Sequence, residues 1–365
     1  MKDFTYRIIA GANVATIVLM LLVGYSDRVN PAAHPVIGVV GLAFPVLLAL
    51  NMAFLVFWLC TRKRWALIPF LGFVVGYGPV SVYCPLSMLR DAPDGAIKVL
   101  TYNVYNFHGW ADDERRCEIT DYIISQDADI VCLQEAEAPM KWRADCLDSI
   151  FAQRYPYRET ALSEGGGSDA LTVLSKYPIV GHEHIEYASA FNHSEAYWLA
   201  IGRDTVLLIN NHLESTALPQ AMRQRFKTLV KGELDGDSMK TESKALVAKL
   251  AESTARRAPQ ADSVAAFIER HQGTPVILCG DFNDTPGSFA YRTIMGDDMR
   301  DAYAEYALGP TITYHCNRFY FRIDHILYRG NFDAVKIERG TLSASDHYPL
   351  VATFKWAADG DDTNE

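Results

Sequence analysis

Residues 276–283 read Val-Ile-Leu-Cys-Gly-Asp-Phe-Asn, and this stretch decides how the rest of the chain is interpreted. Its four apolar residues form a short run that is typical of a buried β-strand. Two oxygen-bearing side chains, Asp281 and Asn283, come directly after it. Alone, an Asp-x-Asn pair is as often an Asx turn as part of an active site. Its meaning therefore depends on which residues stand at the ends of the other strands of the chain.

Eight runs, including this one, have the length and apolar content of strands. They are residues 97–103, 129–133, 170–174, 197–201, 206–210, 275–279, 323–328 and 350–354. Helical spacing, as at 114–125, separates only some of them. This arrangement favours a layered α/β sandwich with mixed sheets over a doubly wound parallel sheet.

Short polar clusters accompany six of these runs. They are Asn103, Gln134-Glu135, Asn210-Asn211-His212, Gly280 to Asn283, Asp324, and Ser345-Asp346-His347. Each has an ordinary structural interpretation when taken singly, as a rim carboxylate, a turn or a surface pair. Together, at one rim of a sandwich, they would supply hard oxygen ligands for Mg²⁺ or Mn²⁺ and groups that hold water and developing charge, as phosphate ester hydrolysis requires. His315 and His325 lack such a context and are interpreted as structural.

The ordered set resembles the endonuclease/exonuclease/phosphatase superfamily, which includes DNase-like nucleases, abasic-site endonucleases, bacterial sphingomyelinases and inositol-polyphosphate phosphatases. The resemblance covers about residues 95–356 and is strongest at Gly-Asp-Phe-Asn and Ser-Asp-His. It implies a four-layered α/β sandwich and a phosphoesterase that depends on Mg²⁺ or Mn²⁺.

The resemblance also implies a role for each site residue. Asp281 would orient or deprotonate the attacking water, and Asp324 would partner His347. His212 would donate a proton to the leaving oxygen or hold the phosphoryl oxygens. The implied catalytic residues are His212, Asp281, Asn283, Asp324 and His347, and the implied metal ligands are Asn103, Glu135 and Asp346.

Two positions depart from the family pattern. Asn211 precedes His212 where the nuclease and sphingomyelinase branches have Thr, which is a mild departure. Tyr105 stands where abasic-site endonucleases place an acidic metal ligand, which argues against that subclass. The glycines at 165–167, before a stretch that resembles a family strand, form either a flexible loop near the site or a plain surface turn.

The first 90 residues differ in kind from the rest. Uncharged runs at 8–26, 36–60 and 65–89, of 19, 25 and 25 residues, are each long enough to cross a hydrocarbon core of about 30 Å. A signal peptide would explain only the first run. We therefore predict a transmembrane anchor over residues 1–90, with helices at about 7–26, 36–60 and 65–89. The last is expected to be the least regular because it contains Pro69 and Pro79.

The charges of the anchor set its expected orientation. The Arg62-Lys63-Arg64 cluster is the densest positive signal and is expected on the cytoplasmic side. With three spans, the chain from about residue 90 onward then emerges outside. We therefore predict an integral membrane protein with an extracytoplasmic catalytic domain, facing the periplasm in a bacterium.

Charge also bears on the substrate. Residues 1–90 hold seven basic and two acidic residues, a net charge of +5, whereas the remaining chain holds 27 basic and 42 acidic residues, a net charge of −15. With this net negative charge, residues 91–365 repel polyanions at long range. They also lack the broad basic surface on which non-specific DNA binding depends. This weakens a nuclease interpretation.

Three features of the body leave alternatives open. A helical insertion at 214–271, with helices at 217–232 and 240–271, is either a solvated helical pair or a substrate-selecting lid. Residues 357–365 are acidic and are expected to form a disordered tail. The seven cysteines include no CxxC pair, and Cys117, Cys146 and Cys316 cannot be assigned to a disulfide from spacing alone.

The favoured function is a membrane-tethered phosphodiesterase or phosphatase that acts on lipid head groups or small phosphoesters. An extracytoplasmic nuclease is the second hypothesis, which a basic groove would favour. The third is a catalytically silent binding module, against which the intact set of clusters argues. The sequence does not determine the substrate, the preferred metal or the number of ions.

Overall fold

The structure is a computed structural model that describes residues 2–87, 95–111, 116–138, 140–163, 169–189, 191–231, 236–316 and 318–356. The predicted tail at 357–365, the glycines at 165–167 and the last two residues of the third predicted span lie outside the described residues.

The N-terminal part is helical. Its helices are α1 (Lys2–Gly24), α2 (Pro35–Val40), α3 (Phe44–Thr61), α4 (Leu67–Val75) and α5 (Tyr77–Tyr83), and a 3₁₀ turn at Gly41–Ala43 joins α2 to α3. Two stretches, Asp3–Arg28 and Pro35–Thr61, are long and apolar enough to span a membrane. Lys63–Val75 and Tyr77–Tyr83 meet at an angle of 81°, so that they form a third span only if the bent pair counts as one.

The bend between α4 and α5 has a specific cause. Pro79 has no N–H to donate to the carbonyl of Val75, and its ring crowds that carbonyl, so the helix cannot continue straight. The Val75 carbonyl instead accepts a hydrogen bond from the hydroxyl of Tyr25, at 3.4 Å. Pro69 lies in the first turn of α4, where a missing N–H costs nothing. Of the two prolines expected to disturb this run, Pro79 is the one that breaks it.

The rest of the chain is built on two six-stranded mixed sheets. One has the order β11-β12-β1-β2-β4-β3 and the other β5-β6-β7-β8-β10-β9. The strands are β1 (Ile97–Asn103), β2 (Ile130–Gln134), β3 (Tyr157–Leu162), β4 (Ala170–Ser175), β5 (Ile179–His184), β6 (Ser194–Ile201), β7 (Asp204–His212), β8 (Val276–Asp281), β9 (Arg300–Asp301), β10 (Asp324–Arg329), β11 (Phe332–Arg339) and β12 (Leu350–Trp356).

Six helices accompany the sheets in the described part of the chain. They are α6 (Glu118–Gln126), α7 (Lys141–Ala152), α8 (Gln220–Val230), α9 (Gly236–Arg270), α10 (Phe289–Met295) and α11 (Ala302–Tyr306). Strand β8 shows the layering, because Ile277 and Cys279 pack between the sheets while Val276 and Leu278 pack under α9 and α10. Residues of α6 and α7 pack on the other sheet. The predicted four-layered α/β sandwich is confirmed.

The strands that the sequence did not indicate are mostly at sheet edges. Half-exposed strands such as β3, β5 and β11 carry charged residues on their open faces, so they lack the apolar runs of the central strands. Helices α8 (Gln220–Val230) and α9 (Gly236–Arg270), given above, lie within the range 214–271 of the predicted insertion. All seven cysteines lie in the described ranges, and none of them is in a disulfide.

The helical N-terminal part packs directly on the sandwich. The hydroxyl of Tyr83 donates to Oγ1 of Thr285 at 3.0 Å, and Arg322 donates to the carbonyl of Val82 at 3.0 Å. Helix α2 crosses α9 so closely that a Cβ at Gly38 would lie 2.8 Å from Oγ1 of Thr254. These contacts fix the sandwich against α2 and α5.

The buried His325 makes the stability of the fold depend on pH. Its Nε2 donates to the carbonyl of Asp284 at 3.0 Å, and burial, with the nearby charge of Arg322, lowers its pKa to about 4. Between about pH 4 and 6.5 the unfolded chain therefore binds a proton that the folded chain does not, and stability falls as the pH falls through this window. At pH 5 we expect a loss of about 2 kcal/mol from this residue.

His325→Gln tests this, because the glutamine amide can keep the donor near Nε2. We expect the thermal midpoint of the wild type to fall between pH 7.5 and 5.0 by about 4–8 °C more than that of the variant. Equal falls for the two proteins would show that His325 contributes nothing to the pH dependence.

Candidate active site

Strand directions place the polar clusters at one end of the sandwich. The pairs β1/β2 and β7/β8 are parallel, so their carboxyl ends lie at the same edges. Strands β10 and β12 run antiparallel to β8 and β1, which brings their first residues to that end. Asp324 is directly opposite Asp281 in the β8/β10 register. The structure therefore brings together at this end all eight predicted residues: Asn103, Glu135, His212, Asp281, Asn283, Asp324, Asp346 and His347.

Asn103 connects the two sheets at the site. Its Nδ2 donates to Oε1 of Glu135 and to Oδ2 of Asp281, both at 3.1 Å. Its Oδ1 accepts the backbone N–H of Tyr105 at 3.1 Å. In this orientation Asn103 holds the two carboxylates together through its nitrogen, although the family pattern implies a metal ligand at this position.

Two imidazoles flank the Asp281 carboxylate. Nε2 of His347 lies 3.6 Å from Oδ2 of Asp281, and Nε2 of His212 lies 3.7 Å from the same oxygen. Behind each ring is a second carboxylate, Asp324 at 2.8 Å from Nδ1 of His347 and Asp169 at 2.9 Å from Nδ1 of His212. All five side chains are buried. Asp281 therefore lies between two histidines, each of which a carboxylate holds in one orientation.

These neighbours change the protonation of the site. Burial disfavours the charged form of His347, but Asp324 and Asp281 outweigh it and raise its pKa to about 10. For His212, Asp169 and Asp281 likewise outweigh burial and raise the pKa to about 9. Burial raises the pKa of Asp281 to about 6, with Asp324 adding to the effect and both histidines opposing it. Near neutral pH the site thus presents two imidazolium donors beside a carboxylate that can accept a proton.

Two site residues have a left-handed backbone. Glu135 follows β2 with φ 49°, and Asn283 has φ 51°. Such values cost a non-glycine residue free energy and occur often at functional sites. The turn at Asn283 is stabilised because its N–H donates to Oδ1 of Asp281 at 2.7 Å and its side chain donates to the carbonyl of Leu213 at 3.0 Å. An amide side chain has two N–H groups, and among the described residues that of Asn283 donates only to Leu213.

The site opens into a cavity of about 350 Å³. Glu135, Asp281, Asn283, Asp346 and His347 line it, whereas Asn103, His212 and Asp324 are buried behind this wall. The rest of the lining mixes polar residues with apolar ones, and the apolar ones include Leu42, Leu218, Leu250, Phe319, Phe321 and Ile323. The cavity therefore combines polar, ionisable side chains with apolar ones.

Three parts of the site were not found from the sequence. Asp169, the partner of His212, is the first of them. It precedes β4, which is antiparallel to β2, so an acid at the start of this strand was a usable signal. The other two, a buried ion pair of 3.0 Å between Arg257 and Asp284 and the α2–α3 loop at Leu42, depend on tertiary packing and have no local signature.

The donor set fits a hard divalent cation. Glu135, Asp281 and Asp346 bring three carboxylates to one cavity, and Glu135 and Asp346 are only half-buried. Oxygen ligands of this kind suit Mg²⁺ and Mn²⁺. Asp281 and Asp324 with His347 also form a compact group of possible ligand atoms within 4.8 Å of one another.

A two-sheet sandwich with carboxylates and imidazoles at one end defines a DNase-like fold whose class of chemistry is phosphoester hydrolysis. The chain belongs to the Endonuclease/Exonuclease/phosphatase family, whose model matches residues 100–347. Residues 6–83 match a family described as a domain of unknown function (DUF8431). No curated protein matches the chain.

Several solved structures are similar to the chain. A humanized TDP2 from D. rerio is 16% identical, with a TM-score of 0.51 over 71% of this chain and 99% of that one. The human Nocturnin catalytic domain is 16% identical, with a TM-score of 0.49 over 73% and 96%. Sphingomyelinase C from Streptomyces griseocarneus is 21% identical, with a TM-score of 0.45 over 71% and 99%. At 16% identity, the likeness to the D. rerio structure shows the fold alone.

Proposed function

We propose that the chain is a membrane-anchored, divalent-metal-dependent phosphodiesterase whose substrate is a lipid with a phosphoester head group. In this proposal, residues 1–90 are the anchor, residues 95–356 are the catalytic domain, and the insertion at 214–271 selects the substrate. A chemically similar small phosphoester would occupy only the polar half of the same cavity.

One observation carries the lipid assignment. Leu42, which lies between α2 and α3 of the helical N-terminal part, lines the same cavity as Asp281 and His347. Leu218 and Leu250, from the insertion, add to the apolar lining. A cavity that combines ionisable and apolar side chains suits a substrate with a phosphoester next to an apolar portion.

The ends of the helices support the proposed topology. An ion pair of 2.7 Å between Arg62 and Asp3 joins the end of α3 to the start of α1. Leu42 and Tyr83 lie at the opposite end, where the sandwich packs. With Arg62 on the cytoplasmic side, the catalytic domain would be extracytoplasmic and its cavity would open near the membrane surface.

The proposed metal ligands are Glu135 and Asp346, with Asn103 close by. A bound Mg²⁺ or Mn²⁺ would neutralise charge on the phosphoryl oxygens and polarise the ester. Its ligands would be carboxylates that the structure already places at the cavity wall.

The side chains at the cavity would then have separate roles in the hydrolysis. Asp281 orients the attacking water and accepts its proton, which its raised pKa allows near neutral pH. His347, held by Asp324, donates hydrogen bonds to the phosphoryl oxygens or the leaving oxygen. The second amide N–H of Asn283 adds a further donor.

His212 has a less direct part. It is buried behind the cavity wall, so we assign it to holding positive charge next to Asp281 and to orienting that carboxylate. Asp169 keeps the imidazole in place at 2.9 Å.

A substrate panel tests the proposal. The full-length protein in mixed micelles is expected to release head group from sphingomyelin or another phospholipid with Mg²⁺ or Mn²⁺ and to lose this activity in EDTA. Faster cleavage of plasmid DNA than of any lipid would make the protein a nuclease instead. No metal-dependent hydrolysis of lipid, DNA or bis-p-nitrophenyl phosphate would indicate a silent binding module.

The role of Leu42 can be tested separately. Leu42→Glu is expected to lower lipid hydrolysis about tenfold or more, because it removes one buried apolar contact with the substrate. Hydrolysis of bis-p-nitrophenyl phosphate should change less than about twofold, since that ester needs only the polar side chains.

Ala33→Glu is the matched control, because Ala33 is exposed in the α1–α2 loop and lies outside the Pro35–Thr61 stretch. It should leave both rates unchanged. A parallel loss on both substrates in Leu42→Glu would show that Leu42 supports the fold and does not contact the lipid.

A further inference from the structure

A second cluster of ionisable side chains lies outside the cavity, on strands β5 and β6. The sequence His182-Glu183-His184 ends β5, and His193 directly precedes β6, which begins with Ser194-Glu195. Alternate residues of a strand point to the same face. The strands are antiparallel, and His184 is paired with Glu195 in their register. The two short motifs are therefore brought to one face of the sheet.

The side chains converge on the Glu195 carboxylate. Oε1 lies 2.7 Å from Nδ1 of His184 and 2.8 Å from Nδ1 of His193, and Oε2 lies 2.7 Å from Nε2 of His182. One ligand atom from each of His184, His193 and Glu195 lies within 4.8 Å of the others. One carboxylate thus has three imidazole nitrogens at hydrogen-bond distance.

The cluster is buried on one side and open on the other. Glu195 and His193 have side chains only 3% and 4% exposed, whereas His184 and His182 are 28% and 37% exposed. Because His182 and His184 are partly exposed, solvent can reach the Glu195 carboxylate from their side. Among the described residues, Nε2 of the buried His193 has no hydrogen-bond partner.

The chemistry of this cluster differs from that of the active site. Three imidazoles and one carboxylate are the ligands that Zn²⁺ takes in four-coordinate sites, whereas Mg²⁺ prefers oxygen. A tetrahedral ion with bonds of about 2.0 Å separates its ligands by about 3.3 Å. On binding, the nitrogen–oxygen distances here would open by about half an ångström. His182, which lies outside the group of three, would rotate toward the same ion.

We propose that His182, His184, His193 and Glu195 form a second metal site, for Zn²⁺ or a similar transition-metal ion. This site is separate from the oxygen-ligand site in the cavity. The carbonyl of His193 accepts the backbone N–H of His212 at 3.1 Å. An ion at the cluster therefore stabilises the strand ends that hold the active site, and its role is structural.

Binding can be measured without turnover. Full-length protein in detergent, freed of metal by a chelator, is titrated with Co²⁺ in excess Mg²⁺, which occupies the oxygen-ligand site. We expect one equivalent of Co²⁺ with the intense visible absorption of a tetrahedral site, displaced by one equivalent of Zn²⁺. Zn²⁺ should also raise the thermal midpoint by about 5 °C or more. A wild type that shows neither signal overturns the proposal.

Variants locate the site. His184→Asn with His193→Asn should abolish both the Co²⁺ absorption and the Zn²⁺ shift, and a double variant that retains either one overturns the assignment. His34→Asn, which changes an exposed histidine of the α1–α2 loop, should retain both. If the double variant does not fold, His182→Asn with His184→Asn, at the open edge, should weaken Co²⁺ binding at least tenfold. Unchanged binding there equally contradicts the proposal.

Discussion

Asp281→Asn is expected to lower metal-dependent turnover by a factor of roughly 10²–10³, the loss typical of one preorganised group at a reacting centre. Asparagine keeps the shape, and its oxygen can still accept the N–H of Asn283. It cannot accept a proton from water, and it removes the negative charge between His212 and His347. We expect kcat to fall under saturating metal while the folded protein stays in the membrane fraction.

The control is Asp204→Asn, which makes the same change on β7 at an exposed position. It should retain wild-type turnover. Thermal midpoints of both variants show whether a loss of rate reflects chemistry or unfolding. If Asp281→Asn hydrolyses the substrate at nearly the wild-type rate, Asp281 is not the base, and the proposed mechanism fails at its central residue.

Gly280→Ala is expected to have the largest effect on stability. Residue 280 has φ +140°, and a Cβ there would overlap the carbonyl oxygen of Asn211 on the neighbouring strand β7 and lie 2.9 Å from its carbonyl carbon. Because these are backbone atoms, the overlap can be relieved only if β7 and β8 separate. We expect a loss of about 4 kcal/mol or more, close to the upper limit for a single substitution, and a fall of the thermal midpoint by about 8–16 °C.

Gly273→Ala separates the two causes of that loss. Gly273 also has a positive φ, of +84°, but a Cβ there meets nothing within 4 Å. It should therefore cost only the backbone strain of about 1–2 kcal/mol. Equal falls of the thermal midpoint in the two variants would mean that the close approach of β7 and β8 at Gly280 does not contribute to the loss of stability.

The central part of the fold was predictable because its strands are buried on both faces. In β8, each residue from Val276 to Cys279 contacts either the other sheet or a helix, so the run is apolar without interruption. Edge strands such as β5 are half-exposed and carry histidines and glutamates, which removes that signal. The break at Gly76 could be placed near Pro79, but its 81° angle depends on packing.

The site could be predicted residue by residue but not in its geometry. Polar residues that directly follow apolar strands, such as Glu135 and Asp281, had a local signature. The pairing of His212 with Asp169 did not, because 43 positions separate the two residues and several strands intervene. The entry of Leu42 into the cavity depends on how the N-terminal helices pack on α9, which periodicity does not determine.

The packing of the N-terminal helices on the sandwich affects what a truncated protein can be used to measure. In the proposed membrane-anchored enzyme, the contacts of Tyr83, Val82 and Gly38 with the sandwich would hold the catalytic domain at one distance and tilt from the membrane. The enzyme would then reach its proposed lipid substrate by diffusion in the plane of the membrane. A truncated fragment beginning at residue 95 would lack part of its own cavity wall. The substrate specificity measured on that fragment would be that of a wider and more solvent-exposed pocket than the pocket of the intact protein.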